Sequence, residues 1–120
     1  MIIEDDYLIG RALQDMLEDI GFNRFSFARS EDAAVLGANE ADIDLITADV
    51  RLLPGDGVNA VDTICSRRQL PVLYITSYRE ELIDRKPDAV VLQKPIKPEA
   101  LAAAVKEVLG KAFPQAKASG

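Results

Sequence analysis

Read from its amino terminus, the chain alternates short apolar runs with longer stretches that are apolar on one side only. Residues 1–4, MIIE, predict a short strand. Over residues 6–20, Ile9, Leu13, Met16, Leu17 and Ile20 share one face at helical spacing, with Arg11, Asp15, Glu18 and Asp19 opposite. That is the pattern of an amphipathic helix, and Gly21 is placed to stop it. FNRFSFA (22–28) sets Phe25 and Phe27 two apart, a strand signal, and Ser30 suits the N-cap of a helix reaching about Glu40. IDLITA (43–48) is the next strand and RLLPGDG (51–57) a loop; Val58, Val61, Ile64 and Cys65 then mark a helix over 58–68. PVLYIT (71–76) and AVVLQ (89–93) are two more strands, with REELIDR (79–85) a short helix between them. Pro98 opens a final helix to Leu109, Gly110 is its expected stop, and 111–120 reads as a tail or linker after a domain over 1–110.

Five strands thus alternate with five helices. The runs at 45–48, 72–75 and 89–92 are almost continuously apolar, as strands are when helices cover both faces of a parallel sheet. Right-handed crossovers then favour one α/β architecture, a doubly wound, flavodoxin-like (βα)5 sheet with strand order 2-1-3-4-5. No repeat or low-complexity segment interrupts it.

The totals narrow the chemistry. At 120 residues and 48% hydrophobic, the chain is one domain with enough apolar material for a core. No apolar stretch is long enough to cross a membrane, and the first ten residues lack a signal peptide's basic start. A single cysteine, Cys65, excludes internal disulfides and fits a reducing compartment, so the cytoplasm is expected. A net charge of −6 argues against direct nucleic-acid binding. The chain has no histidine, which removes imidazole metal sites, serine–histidine hydrolysis and phosphohistidine chemistry within it.

In doubly wound sheets, ligands bind outside the carboxyl ends of the strands. Here those ends carry Glu4, Asp5 and Asp6, then Asp49, then Thr76 and Ser77, then Lys94 and Pro95. If the first and third strands are neighbours, two carboxylates about 5 Å apart repel by roughly 3 kcal/mol at an effective dielectric of 20. Lys94 supplies one compensating charge and a divalent cation would supply two. Oxygen-only ligands with open positions suit Mg2+. A carboxylate beside magnesium, a lysine and a hydroxyl is equipped to accept a phosphoryl group, a reaction that needs positioning and charge neutralisation rather than a histidine base.

The four marks IIEDD, ITADV, YITS and QKP, in that order over residues 2–109, resemble a receiver domain of a two-component response regulator. Each is weak alone and the set is strong. The resemblance implies that Asp49 is the phosphoacceptor and that Asp5 and Asp49 ligate Mg2+ (or another divalent cation such as Mn2+). The Arg51 backbone carbonyl would be a further ligand, and Glu4 would act through water. It implies that Thr76 hydrogen-bonds the phosphoryl group, that Lys94 ion-pairs with it, and that the Lys94–Pro95 bond is cis, which only proline makes inexpensive. The donor would be a histidine kinase or histidine phosphotransfer protein; the downstream protein partner is not specified.

There are departures. Leu53 stands where receivers often carry proline, with Pro54 following it, while Asp56 and Gly57 keep the family's acid–glycine pair. Val91 stands where many have an aromatic switch residue, and Tyr78 suits that role instead, as in a subset with a Ser-Tyr or Ala-Tyr pair after the threonine. Lys94 follows Thr76 by only 18 positions, which predicts a shortened or irregular fourth helix and an atypical partner surface. Arg51 and Tyr78 occupy the positions nearest the attacking water in the family, where bulk would shield an acyl phosphate.

The plainer readings are structural. Asp6 is a solvated acid or a helix cap, Cys65 a buried thiol, and Tyr74 and the three early phenylalanines core; Arg79, Arg85 and Lys86 are solvated charge. Two other functions compete: a receiver-fold interaction module that is never phosphorylated, and a metal-dependent phosphohydrolase with an aspartyl nucleophile. The second is disfavoured because Arg51 stands where that motif has a second aspartate. No effector domain is visible, so the chain reads as a stand-alone receiver or one from a longer protein, and its short MIIE start leaves room for upstream residues.

Overall fold

The computed structural model describes residues 1–112. In chain order it holds β1 (Ile2–Ile3), α1 (Tyr7–Ile20), β2 (Phe27–Ala28), α2 (Glu31–Glu40), β3 (Ile46–Ala48), α3 (Gly57–Cys65), β4 (Val72–Thr76), α4 (Arg79–Arg85), β5 (Val91–Gln93) and α5 (Pro98–Ala112). The strands form one parallel sheet in the order β2-β1-β3-β4-β5, the expected doubly wound architecture.

Alternation along the strands sorts side chains to two faces. On one, Ile3, Ala28, Ile46, Ala48 and Tyr74 pack with Ala34 and Ala38 of α2, Val58, Val61 and Ile64 of α3, and Leu82 of α4. On the other, Ile2, Leu45, Leu73 and Ile75 pack with Leu13 and Leu17 of α1 and Leu101, Val105 and Val108 of α5. Thr47 is buried in β3 and its hydroxyl has no hydrogen-bond partner.

Helix starts follow local chemistry. The Asp6 carboxylate accepts from the Leu8 and Ile9 N–H groups, the Ser30 hydroxyl from Ala33, and the Asp56 carboxylate from Asn59, so three helices carry side-chain N-caps. Gly21 ends α1 with φ +124°, its N–H returning to Leu17 and Glu18.

Several expectations need correction. Phe25 lies outside β2, which is only two residues long. Phe27 is 51% exposed instead of core, because β2 is the outer strand and its ring leans over Gly10 of α1 at the sheet margin. Phe22 and Phe25 are half-buried against the second core cluster. Helix α3 ends at Cys65, not residue 68, and α5 runs through Gly110 to Ala112, because Gly110 does not take the positive φ a stop requires. The expected tail from residue 113 lies outside the described residues. Cys65 is half-buried, and burial pushes its thiol pKa up, so it is not an activated thiolate.

Arg85 and Lys86 are not merely solvated charge. Arg85 Nη1 lies 2.6 Å from Asp56 Oδ2 and Lys86 Nζ lies 2.7 Å from Asp62 Oδ1, tying α4 to α3. Burial works against the ionised Asp56, yet the hydrogen bonds from Arg85 and the Asn59 N–H hold its pKa below the ordinary 3.8.

Two outcomes follow from this packing. Thr47→Val removes a buried hydroxyl without a partner and should raise unfolding stability by about 1 kcal/mol in urea titration. Asp56→Asn keeps a capping side chain but loses the pair with Arg85, costing about 0.5 kcal/mol near neutrality. Because the folded pKa of Asp56 is depressed, that difference should be complete above pH 3.8 and vanish as pH falls through the lower folded value, as denaturation at a series of pH values would show.

Candidate functional site

Parallel pairing sets Ile3 beside Ala48, so the next residues, Glu4 and Asp49, emerge together at the carboxyl edge of the sheet. The Asp49 N–H donates to Ile3 O and the Glu4 N–H to Ala28 O, fixing both backbones. Both side chains are buried, each residue 7% exposed, and Asp5 beside them is half-buried. One carboxylate oxygen from each of Glu4, Asp5 and Asp49 lies within 4.8 Å of the others.

Lys94, just past β5, reaches into this cluster. Its Nζ donates to Glu4 Oε1 at 2.6 Å and to Asp49 Oδ2 at 2.7 Å. Burial alone would lower the Lys94 pKa; the hydrogen bonds to Asp49 and Glu4 outweigh it and hold the ammonium above its ordinary 10.5. Burial pushes the Glu4 carboxyl up, opposed by Lys94 and by the Asp6 N–H, which donates to Glu4 Oε2 at 3.1 Å. The other Asp49 oxygen, Oδ1, is buried and has no hydrogen-bond partner. One ammonium faces three carboxylates, so the cluster retains negative charge and an unsatisfied oxygen. Oxygen-only donors of this kind match a hard divalent cation, and the residues present fit one.

The loop after β3 is pressed against the cluster. A Cβ at Gly57 would lie 1.6 Å from the Asp49 carbonyl oxygen, so only glycine lets α3 begin this close. The Gly57 N–H donates to Val50 O at 2.7 Å. The loop turns at Gly55, φ +110°, and is held to α2 by Glu31 Oε1, which accepts from the Asp56 N–H.

Thr76 ends β4 fully buried, its hydroxyl accepting from the Tyr78 N–H at 3.0 Å. The Lys94 N–H donates to Thr76 O, and the Lys94–Pro95 bond is cis, as is Leu53–Pro54. Tyr78 is 44% exposed and the Arg51 guanidinium stacks on its ring, 3.8 Å from the centroid. Arg51 also pairs with Glu81 at 3.0 Å. Val91 is half-buried, paired with Tyr74 across β4–β5.

The structure therefore brings Glu4, Asp5, Asp49 and Lys94 together, sets Thr76 on the same sheet edge, and stacks Arg51 on Tyr78. Sequence reasoning missed Glu81 and Asp56 as partners of Arg51 and Arg85. These pairs join residues about 30 positions apart, and neither carries a local pattern that announces the other.

Comparison with known proteins agrees with this geometry. The model of the response regulator receiver domain matches residues 1–106. The regulator PhyR of Methylorubrum extorquens is 34% identical over 113 residues, covering 91% of this chain and 42% of that protein. The crystal structure of PhyR from Brucella abortus superposes with a TM-score of 0.87 at 28% identity, covering 99% of this chain and 50% of that one. The anti-anti-sigma factor PhyR of Bartonella quintana gives 0.85 at 29% identity, covering all of this chain and 50% of that one. The chain thus spans about half the length of these relatives or less. Its strand order, its matched residues and its acidic edge with Lys94 agree: the chain belongs to the response regulator receiver domain family.

Proposed function

We propose that this chain is a phosphorylation-switched receiver in which Asp49 accepts a phosphoryl group from a phosphohistidine donor. The observation that carries the reading is the state of the Asp49 carboxylate: one oxygen held by Lys94, the other buried without a partner beside Glu4 and Asp5. An Asp49 oxygen attacks phosphorus, the P–O bond forms as the P–N bond to imidazole breaks, and the histidine nitrogen keeps the electron pair and takes up a proton. Lys94 neutralises charge on the phosphoryl oxygens, and the Thr76 hydroxyl turns to donate to one of them.

Asp5, the free Asp49 oxygen and the Arg51 carbonyl would hold Mg2+ or Mn2+, with Glu4 acting through water, since both its oxygens are already engaged. The metal, when bound, supplies the positive charge that the cluster lacks. The donor is a histidine kinase or histidine phosphotransfer protein, in the cytoplasm. The likeness to the anti-anti-sigma factor PhyR supports an output of that kind, a protein partner captured or released on phosphorylation. Among the described residues no helix is long and apolar enough to cross a membrane, and the net charge of −6 speaks against direct nucleic-acid contact.

Incubation with Mg2+ and a small phosphodonor should add one phosphoryl mass to the intact protein. The gain should be absent in Asp49→Asn and abolished by chelator. Mg2+ at about 100 times its dissociation constant should stabilise the fold by roughly 2.7 kcal/mol. A folded protein that gains no mass and binds no Mg2+ would favour the unphosphorylated interaction module instead. The Arg51–Tyr78 stack should shield the acyl phosphate from water, so Arg51→Asn and Tyr78→Ala should each shorten its half-life; an unchanged half-life in both removes that role.

A further inference from the structure

Helix α4 is seven residues long, and Leu82 is its only buried side chain. Its N-cap residue, Tyr78, makes no side-chain capping bond. A helix this short does not persist without tertiary contacts. Beyond Leu82, its side-chain ties are salt bridges, Arg51 to Glu81 at 3.0 Å, Arg85 to Asp56 at 2.6 Å and Lys86, just past the helix, to Asp62 at 2.7 Å, with one hydrogen bond from Arg85 to the Asn59 amide oxygen at 3.2 Å. These groups are partly exposed, so solvent and salt screen them.

One of the ties differs from the rest. Arg51 follows Asp49 by two residues, stacks on Tyr78, and binds a carboxylate in the first turn of α4. Tyr78 in turn donates its N–H to Thr76. A phosphoryl group carries nearly twice the charge of Glu81 and three strong acceptor oxygens, and guanidinium favours such an anion.

We propose that Arg51 is a phosphoryl-responsive latch, holding α4 through Glu81 and transferring to the phosphoryl group on Asp49, which loosens α4 from α3. The inference rests on the reading of Asp49 as the acceptor. Once Arg51 leaves, Glu81 loses its 3.0 Å partner and lies one turn from Asp84, a like charge at i,i+3 that only Arg85 on the same helix offsets. Arg85 and Lys86 keep the far end tethered, and the change is a local opening.

Amide hydrogen exchange at Leu82 and Lys86, whose N–H groups close α4, reads the latch directly. The full chain is measured with Mg2+, before and after adding beryllium fluoride, a phosphoryl stand-in, with fluorine NMR reporting its binding. In the parent, exchange at both amides should rise about tenfold on binding, and also when salt is raised to about 1 M. Glu81→Gln should exchange fast from the outset and change by less than about twofold on addition. Arg85→Gln, which loosens the far end without touching Arg51, should exchange faster at baseline and still respond. A bound fluorine signal with unchanged exchange in the parent overturns the latch and leaves the acceptor reading standing. A parent-like response in Glu81→Gln also overturns the latch. Absence of a bound signal overturns the acceptor reading and the latch with it.

Discussion

The ammonium of Lys94, shared between Glu4 and Asp49, is the contact on which the site depends. Strand order places β1 beside β3, which crowds two buried carboxylates at one edge. Lys94 follows β5, and β4 lies between β5 and β3, so the compensating charge must reach across a strand. A flexible four-carbon stem with a compact charge does this. The resulting geometry satisfies one oxygen of Asp49 and leaves the other without a partner. It also leaves more negative charge than one ammonium balances. The cluster is held together and still carries the donor oxygens and the negative charge that suit a hard divalent cation.

Volume alone would point elsewhere. A hollow of about 650 Å³ opens at the opposite end of the sheet, lined in part by Met1, Phe22, Phe25, Glu40, Asp42 and Asp44. Among the described residues that line it there is no lysine or buried hydroxyl, and its one guanidinium is Arg24. The Met1 N–H donates to the Leu45 carbonyl at 2.7 Å. Chemistry gathers at the carboxyl edge instead, because every parallel strand delivers its following loop there. Asp49, Thr76 and Lys94 meet at one edge since they end or follow three such strands.

That placement was legible in the sequence. Apolar runs gave the strands, Asp6 and Ser30 the caps, and the ends of the runs the residues gathered at the carboxyl edge. What could not be read depends on neighbours far along the chain. Phe27 has the pattern of an inward residue, but its exposure was decided by β2 lying outermost, where its ring leans over Gly10 of α1 at the sheet margin. Gly110 carries the usual signal of a helix stop, yet one glycine costs only about 1 kcal/mol inside a helix that buries Leu101, Val105 and Val108. The ion pairs of α4 join residues about 30 apart, and side-chain charge alone names no partner at that distance.

The shortness of α4 and the presence of Val91 constrain how the edge communicates with the rest of the molecule. On β5, Val91 is half-buried beside Tyr74 and brings no ring to the edge. Two contacts of Tyr78 join the edge to α4: its N–H bonds Thr76 and its ring carries Arg51. Both lead into the first turn of α4, one through backbone and one through Glu81. A longer helix with a wider apolar face would resist such small displacements. Seven residues anchored by Leu82 and by screened charges make α4 the helix least secured by the core, and its first turn is the part tied to the edge.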